Sequence, residues 1–367
     1  MNITEFFATN DLEHSLLIGY YGGGNFGDEL LLETLLLSMQ QKGVWKVEVC
    51  YQNSVEYKTY HHDFKYKRVA LGDKKQFLGA IRRNRTLIVG GGGLWGLDVN
   101  NNIFLLSLLL FLSRWILRKK VFLIGVGYYG STSKLGHAAA WLAGKSANHI
   151  IVRDDESAAN FGRISHHVSQ DRDIAWQLQT LGTSATTPYQ METDDLAKRL
   201  PIKEKTLFIA IRRFKPSQQN DYNTRIVNFL DANAAGKKRP VIITLMEPQS
   251  VDPDGYALLV EWQKLHPEIT IADFSYNPIA LFAWMKASAP LLAVIAPQFH
   301  LIIAAQMAGA AFLPIAYDNK VTELLRQSGH TAIPIGELDD ATLQSFVDEF
   351  FKEPPVTPAA ALSGGPA

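Results

Sequence analysis

The feature that most constrains the fold is an alternation of short apolar segments with amphipathic ones, which runs twice along the chain. The first run includes TLIVGGGG at 86–93 and VFLIGVG at 121–127, and the second starts with TLFIAIRRF at 206–214. Strands that are apolar at nearly every position are buried on both faces, as in a parallel sheet covered by helices. The sequence therefore predicts an α/β protein with doubly wound sheets.

A polar stretch at 181–205, which contains Pro201, separates the two runs. We predict that it connects an N-terminal Rossmann-like domain over 1–180 to a C-terminal one over 206–353. A Pro/Ala/Gly-rich tail at 354–367 is expected to be disordered. Since ligands of doubly wound sheets bind at the carboxyl ends of the strands, we expect a cleft between the domains.

Composition excludes several classes of function. The 36 basic and 36 acidic residues balance, so no overall field recruits nucleic acid. The single cysteine, Cys50, cannot form an internal disulfide, and no Cys/His set has metal-ligand spacing. The N-terminus lacks the basic region of a secretory signal. We expect a cytoplasmic protein without a metal or cofactor.

The longest apolar stretch, IFLLSLLLFLSRWIL at 103–117, admits two interpretations. It is shorter than the roughly 20 residues that span a bilayer, and Arg114 interrupts it. The main interpretation is a buried crossover helix. The second is a face that touches the inner membrane peripherally, because Trp115 and the basic residues 118–120 form an interfacial border.

The first glycine-rich turn is GYYGGGNFGDE at 19–29, between a predicted strand and a predicted helix. Its spacing departs from the dinucleotide fingerprint. Asn25, Gly27, Asp28 and Glu29 lie where the helix begins, and Asp28 and Glu29 are the candidates for capping it and interacting with its dipole. A carboxylate here also suits the acceptance of a proton from a sugar hydroxyl.

Further glycines and an arginine follow the next strands of the first run. Gly91, Gly92 and Gly93 exceed what a tight turn needs, which favours close approach of a ligand to the backbone. Arg153 lies at the end of the strand at 149–154, where it either lines the cleft or pairs with Asp154.

In the second run, Arg212 and Arg213 end the first strand. Successive side chains of a strand point to opposite faces, so only one of them is expected to reach a site. A guanidinium there suits a phosphate or carboxylate. His300 lies at a strand-to-helix transition, and Lys320 follows the next strand along the chain.

Taken in order, these segments resemble the polysaccharide pyruvyl transferase family. The likeness rests on GYYGGGNFGDE, LIVGGGGLW, VFLIGVG, VRDDES, AIRRF and QFHLIIAAQMAGAAFLPIAYDNKVTELL, and it spans about 16–330. It implies a fold like that of GT-B glycosyltransferases, phosphoenolpyruvate as donor and pyruvate ketals on polysaccharide sugars as products. One departure is Gln298, because the family usually has an arginine two residues before the histidine.

The residue roles follow as expectations. His300 and Asp28 are the candidate catalytic groups, and the donor would be held by Arg212, Arg213, Gln298 and Lys320. The acceptor saccharide, whose attachment to a lipid stays open, would face Asn25, Gly27, Gly91, Gly92, Gly93 and Arg153. Two alternatives remain: a GT-B-type glycosyltransferase that uses a nucleotide sugar, and a non-catalytic partner in polysaccharide assembly.

Overall fold

The computed structural model describes residues 1–52, 66–95, 100–212, 222–236, 239–247, 252–272 and 277–352. The chain forms two compact units, unit 1 (Met1–Pro188) and unit 2 (Tyr189–Ala367). Each unit has its own hydrophobic core. The division falls within the polar stretch at 181–205, which is largely helical. The predicted tail lies outside the described residues.

The described part of unit 1 contains a seven-stranded parallel sheet in the order β3-β2-β1-β4-β5-β6-β7. Its strands are β1 (Ser15–Ile18), β2 (Val47–Tyr51), β3 (Lys67–Ala70), β4 (Thr86–Gly90), β5 (Lys120–Val126), β6 (His149–Val152) and β7 (Val168–Gln170). Its helices are α1 (Ile3–Thr9), α2 (Phe26–Gln41), α3 (Lys74–Arg83), α4 (Asn101–Trp115), α5 (Lys134–Ser146), α6 (Asp155–Gly162), α7 (Gln177–Leu181) and α8 (Thr183–Thr186).

Unit 2 repeats this plan. Its described residues form a five-stranded parallel sheet in the order β10-β9-β8-β11-β12 and a small pair of strands, β13 and β14. The strands are β8 (Thr206–Ile211), β9 (Val241–Leu245), β10 (Thr270–Ala272), β11 (Leu292–Ile295), β12 (Ala311–Leu313), β13 (Ile315–Ala316) and β14 (Ile333–Pro334). The helices are α9 (Gln190–Arg199), α10 (Tyr222–Ala235), α11 (Pro253–Leu265), α12 (Pro278–Ser288), α13 (Phe299–Ala308), α14 (Asn319–Gln327) and α15 (Asp340–Lys352).

The central strands are buried along their whole length, which confirms the predicted α/β fold class. Every residue of β1, β4, β8, β9 and β11 is buried. Helices on both faces of a parallel sheet remove these side chains from water, and the burial of such apolar surface is the main stabilising term. Cys50 is part of the core of unit 1, as its apolar neighbours predict.

Each sheet has one point where its strand order reverses. In unit 1 the chain leaves β1 toward β2 on one side and later returns to β4 on the other side. In unit 2 the corresponding neighbours are β8 and β11. The loops that follow such a pair of strands diverge and leave a crevice at their carboxyl ends, where ligands of doubly wound folds bind.

The prediction of a buried helix at 103–117 is correct for only one face of α4. Ser107, Leu110 and Ser113 are buried, whereas Leu105, Leu112 and other large side chains are exposed. The reason is geometric: a helix packed on one layer presents a single stripe to the core, and α4 is apolar beyond that stripe. Among the described residues, no helix has both the length and the apolar character required to span a bilayer.

Candidate active site

In unit 1 the loop between β1 and α2 is organised by Asn25, the N-cap of α2. Its Oδ1 atom accepts hydrogen bonds from the backbone N–H groups of Gly27 (3.0 Å) and Asp28 (3.3 Å). These are donors that the first turn of a helix otherwise leaves unsatisfied. The prediction of Asp28 or Glu29 as the cap is therefore wrong: Asn25 caps the helix and fixes the backbone from which the half-buried Asp28 carboxylate projects.

Glu29, the next residue, turns its carboxyl group back into the glycine loop. It is 3% exposed, and its Oε1 atom accepts a hydrogen bond of 2.6 Å from the N–H of Gly22. Burial raises the pKa of Glu29 to about 8, the Gly22 N–H offsets part of that increase, and the nearby Asp28 and Glu33 add to it. Glu29 thus holds the loop in place from the inside.

The glycines after β4 form the facing side of this crevice. Gly91 and Gly92 have φ angles of +74° and +80°, which side-chain-bearing residues rarely adopt. A Cβ atom at Gly91 would lie 2.4 Å from Leu31 Cδ1, and one at Gly92 would lie 3.8 Å from an Asp28 carboxylate oxygen. No side chain of the described residues therefore fills the space between Gly92 and the Asp28 carboxylate. Such a space is what a ligand needs in order to approach the backbone of this turn closely.

The two glycine segments are tied to each other and to the sheet. The Tyr21 hydroxyl donates a hydrogen bond of 2.6 Å to the carbonyl of Gly90. The N–H of Gly91 donates to Ile124 (2.8 Å), and the carbonyl of Gly92 accepts from Gly127 (3.0 Å). The shape of the crevice is therefore fixed by backbone bonds to β5 and its following loop.

Arg153 belongs to a buried network beside Gly93. The side chain of Arg153 is 5% exposed; its Nη1 atom donates to Asp173 (3.0 Å), and its Nη2 atom donates to the Tyr129 hydroxyl (3.0 Å). Burial raises the pKa of Tyr129 to about 12, and its hydroxyl donates to Asp154 at 3.1 Å. The Arg153–Asp154 pair itself is separated by 4.0 Å, so Asp173 is the closer partner of the arginine.

In unit 2 two cations gather on one aromatic ring. The Arg212 guanidinium carbon lies 4.2 Å from the centre of the Tyr317 ring, and Lys320 Nζ lies 5.2 Å from the same centre. Lys320 also contacts the Asp318 carboxylate at 3.0 Å, and Asp318 caps α14. Arg212 follows β8 and Tyr317 follows β13, so the fold of unit 2 brings together residues that are distant in sequence.

Gln298 and His300 lie at the start of α13, directly after β11. The Gln298 Nε2 atom donates to the carbonyl of Ile211 at 2.9 Å, which joins the ends of β8 and β11 next to Arg212. Its Oε1 atom is buried and accepts no hydrogen bond from the described residues. His300 is half-buried, with its ring edge-on to Phe299 at 5.0 Å between centres.

Most of the predicted site residues lie near one of the two switch points. Asn25, Gly27, Asp28 and Gly91–Gly93 line the switch point of unit 1, and Arg212, Gln298, His300 and Lys320 line that of unit 2. Arg213 lies outside the described residues. Sequence reasoning missed the contacts of Glu29, Tyr129, Asp173 and Tyr317. For Tyr317 the position at a strand end, next to Asp318, indicates closeness to the site, but it does not indicate the contact with Arg212.

Fold and site together define a class: α/β proteins with two Rossmann-like units that gather glycines and charged side chains at their switch points. Solved structures with a similar fold match nearly the whole chain. The UDP-GlcNAc 2-epimerase from Methanocaldococcus jannaschii has a TM-score of 0.61 at 10% identity, with 93% of each chain covered. The Neisseria meningitidis enzyme bound to UDP-GlcNAc has a TM-score of 0.58 at 12% identity, with 92% of this chain and 93% of that one covered.

The E. coli ADP-heptose lipopolysaccharide heptosyltransferase II also matches, with a TM-score of 0.50 at 11% identity, covering 92% of this chain and 98% of that one. These likenesses show a GT-B-like fold. The comparison with curated proteins found no match. The family comparison is more specific, because the model described as polysaccharide pyruvyl transferase matches residues 25–319. The chain belongs to the polysaccharide pyruvyl transferase family.

Proposed function

We propose that the protein transfers a pyruvyl group from phosphoenolpyruvate to a sugar of a polysaccharide or its precursor and forms a pyruvate ketal. The observation that carries this proposal is the arrangement of Arg212, Lys320 and His300 around the carboxyl ends of β8 and β11, in a chain of this family. This edge combines positively charged side chains with an imidazole that can act as a general acid or base.

The donor carries two anionic groups, a phosphate and a carboxylate. Arg212 presents a planar fork that suits either group, and stacking on Tyr317 restricts its orientation. Lys320 adds a second positive charge, and the backbone N–H groups that begin α13 favour an anion. Gln298 contributes no charge, so in this chain the anion contacts rest on Arg212 and Lys320.

Ketal formation joins one donor to two hydroxyls of the acceptor. The methylene carbon of phosphoenolpyruvate gains a proton and becomes a methyl group, and two C–O bonds form at the neighbouring carbon while its bond to phosphate breaks. The two acceptor hydroxyls lose one proton each. One of these accounts for the proton gained by the methyl group, and the other leaves with the phosphate. We assign proton delivery to His300, because an imidazole nitrogen can donate a proton and take one up again in each cycle.

The acceptor side of the reaction is assigned to unit 1. The Asp28 carboxylate is the proposed base for a sugar hydroxyl, and Asn25 positions it through the cap of α2. The open backbone at Gly92 lets a sugar approach that carboxylate. Arg153 is fully engaged with Tyr129 and Asp173, so its proposed role is to support the wall of the crevice.

Phosphate release tests the role of His300. Purified enzyme, phosphoenolpyruvate and an extract of polysaccharide precursors are incubated, and inorganic phosphate and ketal are measured. His300→Ala is expected to lower kcat by a factor of about 10² to 10⁴, the range for loss of a general acid. The control is His330→Ala, which removes an exposed histidine of the same unit. Full turnover by His300→Ala would exclude the assignment.

The second candidate is a glycosyltransferase that uses a nucleotide sugar. The similarity in fold to a heptosyltransferase is the observation that favours it. A nucleotide would then stabilise the protein, whereas phosphoenolpyruvate would not. A non-catalytic partner in polysaccharide assembly would bind neither donor.

A further inference from the structure

The outer side of α4 carries an exposed apolar surface. Among the described residues eleven large apolar side chains are exposed, and six of them lie on α4, on the turn after it and on α5. This set, called the α4 face below, consists of Leu105 (52% exposed), Leu112 (37%), Trp115 (60%), Ile116 (69%), Leu117 (46%) and Trp141 (48%). Single exposed apolar residues are ordinary, whereas a cluster of this kind marks an interaction surface.

Ring contacts connect the two tryptophans of the α4 face. Phe111 lies between the two tryptophans, with its ring 6.3 Å from that of Trp115 and 6.0 Å from that of Trp141. Leu105 and Leu112 are two turns apart, and Trp115 follows one turn later, so they lie along one side of the helix.

Positive charge surrounds the end of this patch. The Arg114 guanidinium lies over the Trp115 ring at 5.6 Å, and Arg118 and Lys120 are exposed in the turn that follows. Lys119 donates to the backbone carbonyls of Arg82 (2.8 Å) and Asn84 (2.7 Å). That contact places the end of α3, with its exposed Arg82 and the adjacent exposed Arg85, beside the same turn.

Acidic residues are absent from this part of the sequence. From Val99 to Arg153 the chain has seven Lys and Arg residues and no Asp or Glu, although the chain as a whole has no net charge. The segment that contains α4, α5 and their connections therefore carries a net positive charge, whereas the charges of the whole chain balance.

We propose that the α4 face docks onto an anionic lipid membrane. Tryptophan prefers the interface between acyl chains and headgroups, where its ring is buried and its N–H stays hydrated. Basic side chains around an apolar patch add attraction to anionic headgroups. A second copy of this chain is the poorer fit, since a two-fold contact would bring Arg114, Arg118 and Lys120 of both copies together without acidic partners.

Co-sedimentation of the intact protein with vesicles tests this proposal and requires no donor or acceptor. We expect binding to vesicles of phosphatidylcholine mixed with phosphatidylglycerol, weaker binding at high salt, and little binding to phosphatidylcholine alone. Trp115→Ser/Ile116→Ser is expected to lower the partition coefficient at least about tenfold, since apolar area drives insertion. Arg118→Gln/Lys120→Gln is expected to lower it about thirtyfold on the anionic vesicles.

The matched control is Met191→Ser/Leu265→Ser, which removes two exposed apolar side chains of unit 2 and is expected to bind vesicles like the wild type. Circular dichroism of every variant verifies that the fold is kept. The proposal is overturned if the wild type does not bind the anionic vesicles or if Trp115→Ser/Ile116→Ser binds them unchanged. A dimer in sedimentation equilibrium that this variant dissolves, without vesicle binding, would assign the face to a second copy instead.

Discussion

At the scale of single residues, the buried carboxyl group of Glu29 couples protonation to the glycine loop of unit 1. Its pKa is about 8 in the folded protein, compared with an ordinary value of 4.5. The folded state therefore keeps a proton that the unfolded state releases in this interval. The free energy of unfolding falls as the pH rises from about 4.5 to about 8. Above that range, the stability lost by ionising the buried carboxyl group no longer changes with pH.

Glu29→Gln tests this coupling. Glutamine keeps an oxygen that can accept the hydrogen bond from Gly22, but it cannot ionise. The free energy of unfolding of the variant is therefore expected not to fall over this pH range. Because one pKa unit corresponds to about 1.4 kcal/mol, the difference between wild type and variant should change by a few kcal/mol between pH 5 and 8. Urea unfolding at several pH values measures it. Parallel pH profiles of the two proteins would contradict the buried, protonated carboxyl.

The candidate site was predictable wherever a residue follows a readable strand. Arg212 directly follows β8, and Asp28 and His300 lie in the first turns of the helices that follow β1 and β11, so all three belong to the carboxyl-end edge of a parallel sheet. The contacts of Tyr317 and Asp173 were not predictable, because their partners are remote in sequence. Only the folded chain brings Arg212 to Tyr317 and Arg153 to Asp173.

At the scale of elements, apolar runs predict the central strands, whereas the sequence pattern does not predict elements that are very short or uniformly apolar. The sequence predicts neither β10 nor α12: β10 has three residues, and α12 is apolar and buried on several sides, so it lacks an amphipathic pattern. The apolar segment AFLPIAYD at 311–318 predicts a single strand, where the structure has β12 and β13. Pro314, which has no N–H to donate, separates them, and β13 pairs with β14 instead.

The N-caps of α2 and α3 allow a matched test of whether Asn25 has a role beyond capping. Asn25→Ala and Asp73→Ala each remove a side-chain oxygen that accepts two backbone N–H groups. Each variant is expected to lose about 0.5–2 kcal/mol of stability, measured by urea unfolding. Only Asn25→Ala is expected also to lower kcat/KM, because it loosens the backbone that carries Asp28.

The activity assay is the phosphate-release reaction at a temperature where both variants are fully folded. Equal kcat/KM values for Asn25→Ala and Asp73→Ala would show that Asn25 only caps its helix and has no further role in activity.

At the scale of the whole molecule, the family match covers residues 25–319 and therefore includes parts of both units. Two runs of alternating strands and helices were enough to predict two doubly wound domains. The distribution of charge was harder to interpret, since balanced totals conceal a cationic segment in unit 1. The central claim concerns unit 2, where Arg212 and Lys320 are proposed to hold phosphoenolpyruvate.

Calorimetric titration of the intact protein with phosphoenolpyruvate tests that claim most directly. UDP, GDP and CMP are the comparison ligands, and Arg225→Ala, which removes a surface arginine paired with Asp340, is the control variant. We predict saturable binding of phosphoenolpyruvate alone, weakened about tenfold to a hundredfold by Arg212→Ala and unchanged by Arg225→Ala. Binding of a nucleotide without any binding of phosphoenolpyruvate would contradict pyruvyl transfer and favour glycosyl transfer.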